Sequence, residues 1–357
     1  MTKNSREQKN KRLRSLILLL FLTIVLLSTS TYAWFTANRT VTIEAIDISV
    51  AASSGLQIST NAKDWKTLIT NDDIINVTDY TNPVNQVPNV LSPVSTTGAV
   101  SNGKMVFFDG AVEGDEDNGG AMSLTASAAH AEVNESGDNT VGHFVAFDIF
   151  LKTEDNNVPI YLTNGSGVRV TEGEADKGLQ NAARYGFIIE GNVASTASHT
   201  TAQAQLTGTS SIIVEPNYDA HTINGVNNAL TYYDKNDVQE ASSGADYVPY
   251  IGVKAAITTP IILNKTNAWN TYDSSKFGTI ANLMRTNVAY SDGGAGYEAY
   301  NASGTKEPHL LQVFTLRSGI TKVRVYMWVE GQDIDCENAA SGAFISYKLG
   351  FTLDDEE

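Results

Sequence analysis

The sequence predicts a mainly β protein: a β-sandwich or jelly-roll-like ectodomain with long loop insertions, preceded by an N-terminal hydrophobic signal or anchor helix. Three observations lead to this prediction. Apolar and polar residues alternate with period two near both ends of the chain, segments rich in Gly, Asn, Ser and Thr separate the alternating runs, and a basic start leads into an uncharged apolar stretch. Helical periodicity is scarce, so many short strands joined by turns are favoured.

The N-terminal segment has the layout of an export signal. Residues 1–14 carry a net charge of +5, whereas the whole chain of 357 residues carries −16. There is no charge from Ser15 to Asn38, and the run from Leu16 to Leu27 is almost entirely Leu, Ile, Phe and Val. Because the positive side of such a segment stays in the cytoplasm, we expect the remainder of the chain to be exported to the cell surface or beyond.

Two outcomes are open for this segment. The uncharged stretch is about long enough to span a bilayer as a permanent single-pass anchor, which requires ~20 residues. Alternatively, the chain is cleaved after Ala33, because Thr31 and Ala33 place small residues at both recognition positions. The predicted organisation is therefore a signal peptide or membrane anchor at 1–33 and a β-rich extracellular domain at 34–357, with an elaborated middle at about 191–310.

The junction Thr-Tyr-Ala-Trp-Phe-Thr at residues 31–36 resembles the signal peptides of the TasA/camelysin group of exported proteins from Gram-positive bacteria. The run from Val323 to Cys336 is similar to a "WxEGxDxDC" strand and loop of uncharacterised exported proteins, as are residues 91–96 and 147–153. This resemblance implies that a dedicated signal peptidase cuts the chain before Trp34. The camelysin name would further imply a metallopeptidase.

Residues 40–50 form the first predicted strand. Val41 and Ile43 share one parity with Ala45, whereas Ile46 starts the opposite parity. This parity switch exchanges the buried face, which a β-bulge or a crossing between two sheets achieves. Because the strand follows the cleavage junction, its apolar residues are also a candidate donor strand for a second copy of the chain: Val41, Ile43, Ile46, Ile48 and Val50.

The middle of the chain contains further strand candidates. Residues 144–151 are apolar on both parities apart from Asp148, which predicts a strand covered on both faces. Shorter strands are predicted around residues 184–190, 211–214 and 247–255, and short helices at 178–184 and 279–285. The long polar segments at 110–140 and 191–245 are expected to be insertions with minor structure of their own.

The two strands nearest the C-terminus alternate most cleanly, at residues 322–329 and 345–353. The break at Ser341-Gly342 permits an antiparallel hairpin between them with a long turn. Since the first and last strands both alternate strongly, we expect them to share one core. One discontinuous domain is therefore the preferred organisation, and two tandem domains are the alternative.

The sequence carries no recognisable catalytic motif. Its histidines form no H-E-x-x-H pair, and both the G-x-S-x-G elbow and the phosphate-binding loop are missing. We therefore predict that the protein is not an enzyme, which includes the metallopeptidase activity implied by the resemblance. Cys336 is the only cysteine, so no internal disulfide can form, and a packed, inert thiol is the preferred interpretation.

Acidic clusters provide the only weak candidates for a metal site. Asp115 and Asp117 lie in a run that ends in Gly-Gly, and Asp333 and Asp335 follow Glu330. Ca²⁺ prefers such oxygen ligands, but the spacing does not match an EF-hand. We therefore prefer a solvated loop for the first pair and turn-capping hydrogen bonds for the second, and predict no cofactor.

These observations predict a non-enzymatic structural or interaction protein of the cell surface or extracellular matrix. Its partners would be the signal peptidase, the membrane before cleavage, and other copies of itself in an oligomer or filament built by strand addition. Nucleic acid is excluded because the exported part is strongly acidic. The alternatives are a membrane-tethered module that binds a glycan or a protein, and a camelysin-like metallopeptidase.

Overall fold

Strands dominate the computed structural model, and the mainly β prediction is confirmed. The structure describes residues 40–51, 55–80, 85–115, 121–130, 136–163, 165–175, 179–214, 216, 311–331, 336 and 342–353, together with short strands between residues 252 and 307.

In chain order the strands are β1 (Val41–Val50), β2 (Gln57–Ser59), β3 (Leu68–Ile69), β4 (Val87–Leu91), β5 (Val94–Ser101), β6 (Lys104–Asp115), β7 (Ala121–His130), β8 (Ser136–Gly142), β9 (Val145–Thr153), β10 (Val158–Leu162), β11 (Gly167–Val170), β12 (Ala183–Val193), β13 (Ser211–Val214), β14 (Gly252–Val253), β15 (Ile257–Leu263), β16 (Phe277–Gly278), β17 (Val288–Tyr290), β18 (Tyr297–Tyr300), β19 (Lys306–Glu307), β20 (Leu311–Leu316), β21 (Gly319–Val329) and β22 (Ala343–Thr352).

Helices are few and short in the described parts of the chain. They are α1 (Asn71–Ile75) and α2 (His199–Gln203), each about one turn long, with side chains that cap the first backbone N–H groups. The helix predicted at 178–184 is a 3₁₀ helix at Leu179–Ala182, which gives way directly to β12. The helix predicted at 279–285 lies outside the described residues.

The largest sheet, sheet A, has the strand order β20-β10-β22-β1-β4-β8, with β11 added to β22 and β3 added to β1. β1 runs parallel to β22, from Val41 opposite Ala343 to Val50 opposite Phe351. The first and last strands therefore share one sheet and one core, which confirms the prediction drawn from their alternation. The described residues from Thr40 onward fall within a single compact unit.

The parity switch in β1 is a β-bulge. The register with β22 shifts between Ile43 and Ala45, which leaves Glu44 as the extra residue. On both sides of the bulge the apolar side chains are buried in the same core: Val41, Ile43, Ile46, Ile48 and Val50. Of the two predicted causes of the parity switch, a bulge and a crossing between two sheets, the structure has the bulge. The predicted exchange of the buried face is wrong, because the extra residue keeps one face of the strand buried.

Sheet B, with the order β13-β12-β21-β9-β2, lies against the core of sheet A. Its central strands β9 and β21 are antiparallel and almost entirely buried. One face of these strands contributes Phe147, Ile149 and Val323 to the core that the sheet A residues form. The strand predicted at 144–151 with both faces covered is confirmed.

The predicted hairpin between the last two strands is wrong, because β21 belongs to sheet B and β22 to sheet A. The physical reason lies in the side chains of β21. Large side chains point to both faces of the strand, with Met327 on one face and Trp328 on the other, and all side chains of β21 are buried. Only a sheet with neighbours on both faces can bury such a strand.

A third layer covers part of the outer face of sheet B. It is sheet C, with the order β15-β7-β6-β5. The Phe107 ring stacks on Phe144 with a centroid distance of 4.1 Å and meets Trp328 edge-on at 5.3 Å. Gly186 permits this close packing, since a Cβ atom there would lie 2.8 Å from Met105 Cε. Within the predicted insertion at 110–140, the described residues form the end of β6 and the strands β7 and β8.

The remaining described strands form two small sheets, β14-β16 and β17-β18-β19, within the predicted elaborated middle. Across the described ranges, no helix is both long enough and apolar enough to cross a bilayer. The predicted signal or anchor helix at 1–33 lies outside those ranges.

Candidate functional site

The residues predicted as functional fall into different parts of the chain. The five candidate donor residues lie in β1, between β22 and β4. Asp115 is the last residue of β6. The others lie outside the described residues: Thr31, Ala33, Trp34, Asp117, Asp333 and Asp335. Within the part of the chain that the structure describes, no three His, Cys, Asp or Glu side chains are grouped as a metal would require.

Glu330, which begins the second acidic run, is fully buried. Its carboxylate accepts hydrogen bonds from the Ser95 hydroxyl of sheet C and from the Trp328 indole N–H at 3.2 Å. The next residue, Gly331, donates its N–H to the Val94 carbonyl at 2.8 Å. Glu330 therefore links sheet B to sheet C through hydrogen bonds.

Charged side chains meet on the outer face of sheet B, in a group that we call the outer-face cluster: Asp148 of β9, Lys322 and Arg324 of β21, Glu190 of β12, and Tyr80. The Arg324 guanidinium donates to Asp148 Oδ1 at 2.8 Å, and Lys322 Nζ lies 3.2 Å from Asp148 Oδ2. The Tyr80 hydroxyl also donates to Asp148 Oδ2. A β-bulge in β12 places Glu190 next to the residue that pairs with Lys322.

Two segments cover the outer-face cluster and are held by it. The first carries Tyr80, and the second runs from α2 to Gly208. Lys322 Nζ donates to the Gln203 carbonyl at 2.9 Å, and the Gln203 amide donates in turn to the Asp79 carbonyl at 2.8 Å. The Gly208 N–H donates to Glu190 Oε2 at 3.0 Å. The cluster is consequently closed off from water by segments that its own side chains hold in place.

Burial and charge pull the pKa values of the cluster in different directions. Burial alone would raise the pKa of Asp148, but the positive charges of Arg324 and Lys322 outweigh it and lower that pKa below the ordinary value. Burial raises the pKa of Glu190, because the Gly208 hydrogen bond and the charges of Lys322 and Arg324 lower that pKa by less than burial raises it. Burial also raises the pKa of the Tyr80 hydroxyl, which therefore stays protonated.

Glu190 is the incompletely satisfied member of the cluster. Its side chain is fully buried, and Oε1 has no hydrogen-bond partner, whereas Oε2 accepts from Gly208. A buried carboxylate oxygen without a partner is costly, because it has lost its water and gained nothing in exchange. Such a group shows where the fold tolerates an unfavourable arrangement, and it is therefore a candidate for a functional role such as proton transfer.

A separate polar cleft of about 360 Å³ opens beside α1. Asn61, Asp64, Asp72, Asn76 and Thr78 contribute polar groups to its walls. The Asn61 side-chain oxygen accepts the Asp64 N–H at 2.9 Å, and its amide donates to the Thr78 carbonyl at 3.2 Å, so the cleft walls are rigidly connected.

Cys336 is buried in the core shared by sheets A and B, with 1% of its surface exposed. The prediction of a packed thiol is confirmed. Its surroundings are those of a small apolar residue.

The sequence interpretation identified Asp148 as the single charge in an apolar run but did not assign it a partner. The signal was present, since Lys322 and Arg324 repeat with period two in a strand whose other parity is apolar. Buried charges are almost always paired, so charges in two buried strands predict each other. Which strands are neighbours was the missing information.

The chain matches no protein-family model, no curated protein and no solved structure.

Proposed function

We propose that this chain is a non-enzymatic structural or interaction protein of the bacterial cell surface or extracellular matrix. It is exported by an N-terminal helix of the TasA/camelysin type at 1–33, which a signal peptidase removes. The sheets from Thr40 onward then form a β-sandwich or jelly-roll-like ectodomain. Copies of this ectodomain assemble by exchanging β1, which leaves its own sheet and completes the sheet of a neighbour.

The position of β1 supports strand exchange best. The strand lies between β22 and β4, pairs with β22 along its whole length, and is the first of the described strands after the predicted cleavage junction. Its five apolar side chains are buried, and each is worth about 1.5–3 kcal/mol when removed from water. An empty groove would therefore be unstable, and only an equivalent strand from a second copy would replace what is lost.

A disulfide that locks β1 in its own sheet tests this mechanism. Asp47 and Lys348 are register partners on β1 and β22, and both are exposed. Neighbouring strands lie about 4.8 Å apart, which a disulfide can bridge. The variant Asp47→Cys/Lys348→Cys should stay monomeric when oxidised and assemble when a reductant is added.

Asp47→Cys alone is the matched control and should assemble under both conditions. Filaments of the oxidised double variant in electron micrographs would refute strand exchange. Deleting residues 34–50 is a less specific test, because it removes five buried side chains and so perturbs folding together with assembly.

The polar cleft supports the second candidate function, a membrane-tethered module that binds a glycan or a protein. This function requires that the N-terminal helix is retained. N-terminal sequencing of the native protein separates the candidates, since a chain that starts at Trp34 supports release and an intact N-terminus supports tethering. Chelator-sensitive hydrolysis of casein would instead support the metallopeptidase.

A further inference from the structure

We propose that Lys322 and Asp148 become joined by an intramolecular isopeptide bond, formed spontaneously inside the folded domain, with Glu190 carrying the proton between them. This proposal goes beyond the assembly mechanism and does not depend on it. The bond would link β21 to β9 in the centre of sheet B.

The two reacting groups are already in contact. Lys322 Nζ lies 3.2 Å from Asp148 Oδ2, and the side chains are only 7% and 4% exposed. Nζ would attack Cγ, the carbon to which Oδ2 is bonded, and holding two reacting groups together in this way removes much of the entropic barrier to their reaction. Water, which would favour the separated ions, is excluded from the site by Tyr80 and by the segment around Gln203.

The reaction is balanced without any co-reactant. The Lys322 ammonium group loses two protons, and Nζ forms a bond with Asp148 Cγ. One carboxylate oxygen takes up those two protons and leaves as water. The products are a neutral amide and one water molecule, so no oxidant, reductant or external proton is consumed.

The neighbouring side chains fit the steps of this condensation. Arg324 donates to Oδ1, the oxygen that remains, where a positive donor stabilises the negative charge of the tetrahedral intermediate. Tyr80 donates to Oδ2, the oxygen that departs. The Gln203 carbonyl accepts from Nζ and can accept equally from the N–H of the product amide.

Glu190 supplies the group that moves protons. Its Oε1 is buried without a hydrogen-bond partner, and its charge interacts with those of both Lys322 and Asp148. Burial raises the pKa of Glu190, which brings a carboxyl group closer to the range where it both accepts and releases protons near neutrality.

The energetic gain is the removal of buried charge. An ion pair inside a protein carries a desolvation cost that its attraction only partly offsets, whereas an amide carries none of that charge. The chain has a single cysteine and so cannot use an internal disulfide for stability. A covalent bond between residues far apart in sequence would restrict the unfolded chain in the same way as a disulfide does.

Mass spectrometry of the purified full chain tests the bond directly. Trypsin should fail to cut after Lys322 and release a branched peptide that joins residues 105–152 to residues 318–324, lighter than their sum by one water molecule. Lys322→Arg keeps the positive charge but should yield only unbranched peptides. Asp148→Asn should still form the same amide, now with loss of ammonia.

Glu190→Gln should form the bond about 100-fold or more slowly, measured as the branched fraction over time after refolding. Circular dichroism confirms that each variant is folded. Finding only unbranched peptides from the folded wild-type chain would overturn the proposal. A branched peptide from Glu190→Gln at the wild-type rate would overturn the role of Glu190.

Discussion

At the scale of single residues, charges in strands that are buried on both faces distinguish this molecule. Asp148 and Arg324 lie directly opposite each other in β9 and β21, and Lys322 approaches the same carboxylate from two positions away. Apolar residues of similar size would often be at least as stable in such places. The stability of the ion pairs themselves therefore does not account for the charged set, which holds two covering segments and, as proposed above, forms a covalent bond.

Glu190 should make the stability of the protein depend on pH in a recognisable direction. Because its pKa is raised in the folded state, its contribution is fully present below its ordinary pKa of about 4.3 and is lost as the pH rises through the folded value. Glu190→Gln does not titrate, so its advantage over the wild type in the free energy of unfolding should grow between pH 4 and pH 8.

Urea denaturation of both proteins across this pH range measures the difference. The charged groups whose fields act on Glu190 are Lys322, Arg324 and Asp148. Both proteins are therefore compared in a Lys322→Arg background, which keeps a positive charge at this position and cannot form the proposed amide, so that these charges are the same in the two proteins. Parallel curves of stability against pH for the two proteins would contradict the expected role of burial.

At the scale of secondary-structure elements, the bulge in β1 keeps one face of the strand buried although the alternation of apolar and polar residues is interrupted. Glu44 is the extra residue between two stretches that are each in phase with the core. Removing it would leave an uninterrupted alternation in which Val41, Ile43 and Ile46 fall on one face. The bulge is therefore not required to bury the side chains of this strand.

Deletion of Glu44 should change the free energy of unfolding by less than ~1 kcal/mol, because every buried side chain keeps its place. Deletion of Asp47, a matched change in the same strand, should cost about 2–5 kcal/mol, because it turns Ile46 outward and puts Ala45 in its position. Thermal unfolding of the two variants compares them. Equal losses would show that the register is not set by the apolar pattern.

At the scale of the whole molecule, sheets A, B and C form successive layers, and sheet B is covered on both sides. The face of sheet B toward sheet A is apolar, whereas its outer face is apolar at both ends and charged in the middle. The first and last described strands, β1 and β22, pair with each other in the middle of sheet A, so the sheet is complete only when both ends of the described chain are in place.

Cys336 reports on the separation of sheets A and B, because it lies in the core that both contribute to. It should remain unreactive toward a thiol reagent in native buffer and become labelled with the same urea midpoint as the loss of β-structure by circular dichroism. Asp155→Cys in a Cys336→Ser background is the exposed control and should react at once. Rapid labelling of native Cys336 would show that the layers open locally.

The elements that could be predicted from the sequence are those with local signals. Alternation over a few residues identified β1, β21 and β22, because the side chains of a strand point to opposite faces in turn. A run that is apolar on both parities identified β9, and the parity switch in β1 indicated a bulge or a crossing between two sheets. Which strands become neighbours in a sheet could not be predicted in this way. Strand pairing depends on contacts between residues that are far apart in the chain, and local sequence patterns carry no information about those contacts.

This is why the hairpin prediction was wrong and the outer-face cluster was missed. Residues 322–329 and 345–353 are close in sequence, but a strand with large buried side chains on both parities must lie in the middle layer, so β21 and β22 separate into different sheets. The charge of Asp148 is visible in the sequence. Only the pairing of β9 with β21, and of β21 with β12, gives it Arg324, Lys322 and Glu190 as neighbours, because hydrogen bonds between strands bring together residues that the chain holds far apart.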